Sequence, residues 1–395
     1  MIELLDSYLH GFKVKYMVLD QLLGSVIGPN VPKKDRLDTV NIFINMESLY
    51  NSFRNRGIEK IIIKYTKDEM NYVYRQLIAG IINVGVHYRK YFAYHKVRTN
   101  IVYYYNEIKD SPVIYNNCAY IKNYRKHFFE SLNSLDRFTI NGIVKDTIPL
   151  VKIIMTYLEN MYMVGADRIE ASLIPFYIDM EGLLPSNMNI FITKDEYDFQ
   201  YANFKGLLVV KVNDKPILLS KKNLMKYITW KHEIKTDRMI SPLLINFMLS
   251  CIGNRKRSIK GLKGVGWVSI YKELLKLYDV GYILPQDDNT THVRYLVDIL
   301  ADESFKMVDK DDLIDKIISN YKSIAVDFQY GHMEKVQKMK IKDQLIDRTD
   351  PKALIELNDK YFEDTPIQLY EINQYEKESK LEKTLKKEGY LDPWN

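Results

Sequence analysis

Between Gly253 and Gly266 the chain reads GNRKRSIKGLKGVG, with glycines at 253, 261, 264 and 266 and no acid. Arg255, Lys256, Arg257, Lys260 and Lys263 stand among those glycines. Glycine lets another backbone come close, and cations lacking a counter-charge attract phosphate whatever the base sequence. The apolar runs SPLLINFMLSCIG (241–253) and WVSIYKELLKLY (267–278) on either side carry helical spacing, so the segment is expected to join two helices, the second starting right after Gly266. Backbone N–H groups at such a turn, and at the helix N-terminus that follows, suit a phosphate oxygen. A glycine-rich loop between two core helices explains the same composition equally well.

The elements able to position this segment are spread along the chain. Residues 1–25 carry Leu4, Leu5, Leu9, Leu19, Leu22 and Leu23 at roughly helical spacing, and GPNVPKKDR (28–36) reads as a loop. TVNIFIN (39–45) is a strand, MESLYNSFRNRG (46–57) a helix, 67–96 a long helix and TNIVYYYN (99–106) a second buried strand. NNCAYIKNYRKHFFESL (116–132) has the pattern of a basic, aromatic helix, and 147–182 is expected to hold one helix, a break at Gly165 and another helix. NMNIFIT (187–193) is strand, and GLLVVKVNDKPILLS (206–220) a hairpin about NDK. This order predicts an α/β core whose mainly parallel sheet is flanked by helices. It divides the chain into a helical extension (1–35), one domain (36–345) and a charged tail (346–395).

A net charge of +6 is too weak a field to name a partner, so local clusters must carry any nucleic-acid argument. Cys118 and Cys251 lie in apolar or aromatic surroundings and predict buried thiols in a reducing compartment. No run is long enough to span a membrane and the N-terminus lacks a secretory pattern, which places the expected site of action in the cytoplasm, a host's if the AT-rich bias toward tyrosine is viral. The histidines show no zinc-ligand spacing, GLKGVG follows a helix rather than a strand as a dinucleotide site would not, and no phosphate-loop or nucleophile-elbow motif occurs. HYRKYFAYHKVR (87–98) and YIKNYRKHFF (120–129) interleave cations with rings, as single-strand binders do, although core packing explains any one ring as well.

The segment GNRKRSIKGLKGVGWVSIYKELL resembles the helix–three-turn–helix of the 5′-nuclease (flap endonuclease, PIN-like) superfamily. The family pattern Gly-Asp-x-x-Asp-Asn-hydrophobic-Pro-Gly-hydrophobic-x-Gly-hydrophobic-Gly overlays residues 253–266 without a gap. Gly253, Ile259, Gly261, Leu262, Gly264, Val265 and Gly266 match, while Asn254 and Arg257 stand at metal-binding aspartates and Lys260 at the proline. Further matches precede it in order. IFINMESLYNSF puts Asn45 at the first aspartate, VYYYNEI puts Asn106 at another, and YIKNYR supplies Lys122 and Arg125. In VGADRIEAS, Gly165 replaces a glutamate, Asp167 is retained and Arg168 replaces an aspartate; in FITKDEYDFQ, Asp195 and Gln200 match and Tyr197 replaces an aspartate. The resemblance covers residues 40–285. It implies DNA binding through Lys256, Lys260, Gly261, Lys263, Gly264, Gly266, Lys122 and Arg125 of the two basic segments.

Hydrolysis in that family uses divalent ions, normally Mg²⁺, about 3.5–4 Å apart and held by anionic oxygens. Here only Asp167 and Asp195 remain at aligned positions; Asn45, Asn106 and Asn254 keep an acceptor without charge, and Arg168 and Arg257 reverse the sign. A guanidinium close to a dication is repelled by about 1–4 kcal/mol. Glu47, Glu107, Glu196 and Asp198 lie near the aligned positions and read as solvated acids, since a one-residue shift at a strand end turns a side chain away. The expectation is a protein that binds branched or junction DNA in replication, repair or recombination, with no metal cofactor and no cleavage. One alternative is a Mg²⁺-dependent 5′–3′ exonuclease or flap endonuclease with displaced ligands. Another is a structural subunit meeting protein partners through its N-terminal helix and C-terminal tail.

Overall fold

The computed structural model describes residues 12–27, 31, 37–46, 48–49, 67–106, 140–166, 169–204, 207–211, 217–254, 259–279, 296, 310–346 and 351–361. In chain order these give α1 (Tyr16–Leu23), β1 (Thr39–Asn45), α2 (Lys67–Tyr94), β2 (Arg98–Asn106), α3 (Ile140–Thr156), β3 (Met161–Ala166), α4 (Leu173–Met180) and β4 (Met188–Thr193). A 3₁₀ helix (Glu196–Asn203), β5 (Leu207–Lys211), β6 (Ile217–Leu219), α5 (Leu224–Lys231) and α6 (Ile245–Ile252) follow. Next come β7 (Gly253–Asn254), β8 (Ile259–Lys260), α7 (Trp267–Asp279), α8 (Lys310–Ile324), α9 (Val326–Gly331), α10 (Lys335–Ile346) and α11 (Pro351–Tyr361).

Six strands form one sheet in the order β3-β2-β1-β4-β5-β6, and all but β6, which pairs antiparallel with β5, are parallel. A parallel sheet between helical layers has no solvated face, so its strands must be apolar on both sides. β1 meets that demand by alternation: Phe43 joins the core shared with α4, α6, α7 and α8, and Ile42 and Ile44 join the core shared with α1, α2 and α3. Phe12, Val14, Leu19 and Leu23 at one end of the chain, and Leu354 of α11 at the other, belong to that second core.

The sequence reading of 147–182 needs correction. Helix α3 begins at Ile140, runs through Pro149 and ends at Thr156, and the residues beyond it form a strand, β3, that contains Gly165. Asn160, at φ 54°, makes the left-handed turn between the two. An apolar run of six residues carries no period that separates strand from helix, and pairing with β2 decides it. Across the outer edge of β3, the Gln344 side chain of α10 accepts from the Gly165 N–H (2.9 Å) and donates to its carbonyl (3.0 Å). It thereby stands in for a further strand at an otherwise open edge.

Two polar devices tie the layers together. The Tyr103 hydroxyl accepts from Gly85 N–H (2.7 Å) and donates to the Ile81 carbonyl (2.7 Å), so it is inserted into the i→i−4 ladder of α2. At the amino ends of the strands, Asn41 is in register with Asn100 of β2 and Asn189 of β4. Asn100 donates to Asn41 Oδ1 (2.8 Å), Asn41 to the Leu184 carbonyl (2.7 Å) and Asn189 to Asp179 Oδ1 (2.5 Å). Of the helix expected over 46–57, Met46, Ser48 and Leu49 are described and helical; the basic helix expected at 116–132 lies outside the described residues.

Candidate nucleic-acid site

From β1 the sheet grows to one side through β2 and β3 and to the other through β4 and β5. In open α/β sheets the crevice beyond the carboxyl ends at such a reversal is where ligands bind. Asn45 and Thr193 are the last residues of β1 and β4, so they stand on its two lips. The 3₁₀ helix that follows β4 brings Asp198 back over the gap.

Asp198 is fully buried, and three donors converge on its Oδ2: the Thr193 hydroxyl (2.5 Å), the Asn45 amide (3.3 Å) and the Tyr104 hydroxyl (3.4 Å). Asn45 Oδ1 accepts from the Ser48 N–H (3.1 Å), and the Ser48 and Thr193 hydroxyls lie 3.4 Å apart. Burial, then the Asp198 charge, pushes the Tyr104 phenol well above its ordinary value, so this ring stays a donor. Asp198 is therefore no solvated acid. A solvated loop or helix-face acid is what the sequence predicts at 198; the 3₁₀ turn instead carries the side chain into the core. Glu196 is also engaged: it pairs with Lys231, lies 3.6 Å from His232 Nε2 and accepts from the Trp267 indole N–H (3.1 Å).

Other aligned positions are held by hydrogen bonds of their own. Asp195 caps the 3₁₀ helix, accepting from the Tyr197 N–H (3.0 Å), and Asn106 Oδ1 accepts from the Ala171 N–H (2.9 Å). Tyr197 and Gln200 are buried; Gln200 donates to the Tyr197 and Ile324 carbonyls (3.0 and 3.2 Å) and accepts from Val326 N–H (3.0 Å), fastening the 3₁₀ helix to the α8–α9 junction. Gly165 faces Gln344 as described. Asp167, Arg168, Glu47, Glu107, Lys122 and Arg125 lie outside the described residues. The family resemblance picked out Asn45, Asp195 and Gln200; Thr193, Ser48 and Tyr104 carried no signal in the sequence.

The glycine segment lies between α6 and α7, as its flanking periodicity predicts, with β7 and β8 pairing as a short antiparallel ribbon. Arg255, Lys256 and Arg257 fall outside the described residues. Two of the four glycines answer to internal packing rather than to a ligand. Gly253 has φ 76°, and a Cβ on it would strike Ile259 and Gly261, while a Cβ on Gly261 would strike the Ile252 carbonyl. Gly264 (φ 77°) and Gly266 have nothing within 4 Å of an added Cβ, so close external approach is open there. Lys260 and Lys263 are exposed beside them. The Gly266 N–H itself donates to Ser269 Oγ (2.8 Å), which removes it from the phosphate donors expected at the helix start. Asn320 of α8 donates to the Ser250 and Lys260 carbonyls (2.9 and 3.0 Å) and holds the ribbon against α6. Cys251 is a buried thiol, and burial raises its pKa far out of the reactive range.

Strand order, crevice and ribbon together define a three-layer α/β protein with a polar cleft at the strand reversal and a basic helix–turn–helix on the same chain. Solved structures of other proteins are similar to it. They include the 5′-exonuclease of bacteriophage T5 with zinc (12% identity, TM-score 0.46) and the T5 flap endonuclease in a pseudo-enzyme–product complex with DNA and metal ions (10%, 0.44), each matching 78% of this chain and 98% of its own. The catalytic core of Rad2 with its DNA substrate matches 90% of this chain and 98% of its own (12%, 0.36). No protein family model and no curated protein matches the chain. At such identities and TM-scores the chemistry of this chain rests on its own residues. Among the described residues no group of three or more His, Cys, Asp or Glu could hold a metal ion. Among the described residues the lips of the crevice are an amide and a hydroxyl, both donating to Asp198, and that described donor set does not fit a dication pair.

Proposed function

We propose that the chain binds nucleic acid, DNA in the first instance, at strand ends or junctions of single strand with duplex, and does not hydrolyse it. One observation carries this reading: the Asn45 amide donates to Asp198 Oδ2 at 3.3 Å across the strand reversal. A carboxylate at position 45 would face Asp198 at the same distance and need a cation or a shared proton between them, whereas an amide turns the contact into an attraction. Exposed Lys260 and Lys263, with open space at Gly264 and Gly266, supply the strand contact. Lys256, Lys122 and Arg125 are assigned to the same role by their motif positions. The setting is a replication, repair or recombination assembly.

The test pairs two measurements. A fluorescent fork should bind with strong salt dependence, and Lys260→Ala and Lys263→Ala should each lower the slope of log K against log salt by about 0.9. Calorimetric titration with Mg²⁺ or Mn²⁺ should show no tight binding of two ions. Tight binding of ions together with release of labelled 5′ fragments would instead assign a working nuclease.

A further inference from the structure

Helix α5 buries one side, Leu224, Met225, Tyr227 and Ile228, in the core and turns Lys226 and Trp230 to solvent. The Trp230 side chain is 69% exposed, the most open of the large hydrophobic side chains described. Lys226 and Trp230 are four residues apart, hence neighbours on one helical face about 5–6 Å apart, and exposed Lys222 precedes them in the turn before the helix. The only ring beside the indole is that of Tyr227, tilted 40° with centroids 5.8 Å apart, so one indole face has no aromatic partner among the described residues.

This face is rigidly placed relative to both parts of the site. The next residue, Lys231, pairs with Glu196 at the start of the 3₁₀ helix that follows β4, and His232 stacks on Trp267 at 5.0 Å and 19°. Trp267 is the first residue of α7, immediately beyond the glycine ribbon, and it donates to the same Glu196. The end of α5 therefore bridges the crevice and the ribbon, and Trp230 stands at that bridge.

We propose that the Lys222–Lys226–Trp230 face is a second nucleic-acid contact, specific for single strand: an unpaired base stacks on the Trp230 indole while Lys226 and Lys222 attract the flanking phosphates. It rests on the nucleic-acid reading above and adds the element that distinguishes single strand from duplex, because a base inside a helix has no free face to offer. Lysines that pair with no acid among the described residues give the charge complementarity; stacking on one ring is tolerant of base identity.

The experiment measures anisotropy of a labelled oligothymidylate and of a labelled blunt duplex with wild type, Trp230→Ala, Trp230→Phe and Lys226→Ala. Trp230→Ala should weaken oligothymidylate binding roughly ten-fold or more while duplex affinity changes little; Trp230→Phe should retain most of it. Lys226→Ala should lower the single-strand salt slope by about 0.7. Because Trp230 is exposed, its variants should unfold at the wild-type urea midpoint; if Trp230→Ala shifts it, the Phe and Lys226 variants decide. Oligothymidylate affinity unchanged in Trp230→Ala, with wild type binding DNA normally, overturns this assignment alone. Wild type that binds neither oligonucleotide in dilute buffer overturns the proposed function and this contact together.

Discussion

Asn45→Asp places a carboxylate at the lip of the crevice and gives the sharpest test of its electrostatics. The new oxygen would face Asp198 Oδ2 across the present 3.3 Å contact. Two unit charges at that separation repel by about 5 kcal/mol at an effective dielectric of about 20. The pair can escape by taking up one proton, which near neutrality costs about 4 kcal/mol for a carboxyl of ordinary acidity. Either way the variant should lose about 4–5 kcal/mol near pH 7. The unfolded chain keeps both carboxylates charged at neutral pH while the native pair holds an extra proton, so the native state binds more protons. Stability must then fall as pH rises. Near pH 5 the loss should shrink by about 2–3 kcal/mol, because each unit of pH is worth about 1.4 kcal/mol. Urea unfolding in EDTA at the two pH values, followed by circular dichroism, reads this directly. Asn45→Ala serves as the control: it should lose about 1–3 kcal/mol without the pH dependence. Equal midpoints for wild type and Asn45→Asp near neutrality, or a loss independent of pH, would show that these two side chains do not face one another.

Other outcomes follow from single contacts. Gly261→Ala should destabilise the ribbon by about 1–3 kcal/mol through overpacking against the Ile252 carbonyl, whereas Gly266→Ala, with nothing within 4 Å, should spare the unfolding midpoint and lower only fork affinity. Tyr103→Phe removes the hydroxyl bridging Gly85 and Ile81 and should cost about 1–3 kcal/mol in urea unfolding; Gly85→Ala should cost as much, since its Cβ would lie 2.6 Å from that hydroxyl. Burial holds the His95 imidazole below its ordinary pKa against the opposing pull of Asp20 at 3.2 Å. The unfolded chain then takes a proton the native ring refuses, so stability is full above about pH 6.5 and lost as pH falls through the lower native value. The urea midpoint of His95→Phe should accordingly change less between about pH 7.5 and pH 5.5 than that of wild type.

How much of this was legible in the residues depended on whether the signal was local. β1, β2 and β4 announce themselves because β-branched and aromatic residues fill both faces of a buried parallel strand, and α7 starts where Gly266 predicts. β3 did not, because its identity comes from the strand beside it and from Gln344, far away in sequence. In the crevice, Asn45 was picked out by the resemblance of its motif. Asp198 was expected to be solvated, and its burial depends on a 3₁₀ turn that spacing along the chain does not reveal. The glycines were read as openings for a ligand; Gly253 and Gly261 instead relieve contacts within the ribbon, which no linear pattern reveals.

The asparagine row at the amino ends of β2, β1 and β4 bears on how freely the opposite ends can change. Aliphatic strands slide past one another at little cost, since one branched side chain replaces the next. A slide of β1 by one residue would take Asn41 away from both Asn100 and the Leu184 carbonyl, so misaligned pairings of β1 are disfavoured. Alignment is thus fixed at one rim of the sheet, four residues upstream of Asn45 on the same strand. The other rim is relieved of that duty. Side chains there can change while the strands stay locked in place, which makes the cleft a surface whose chemistry can be rewritten without redrawing the fold.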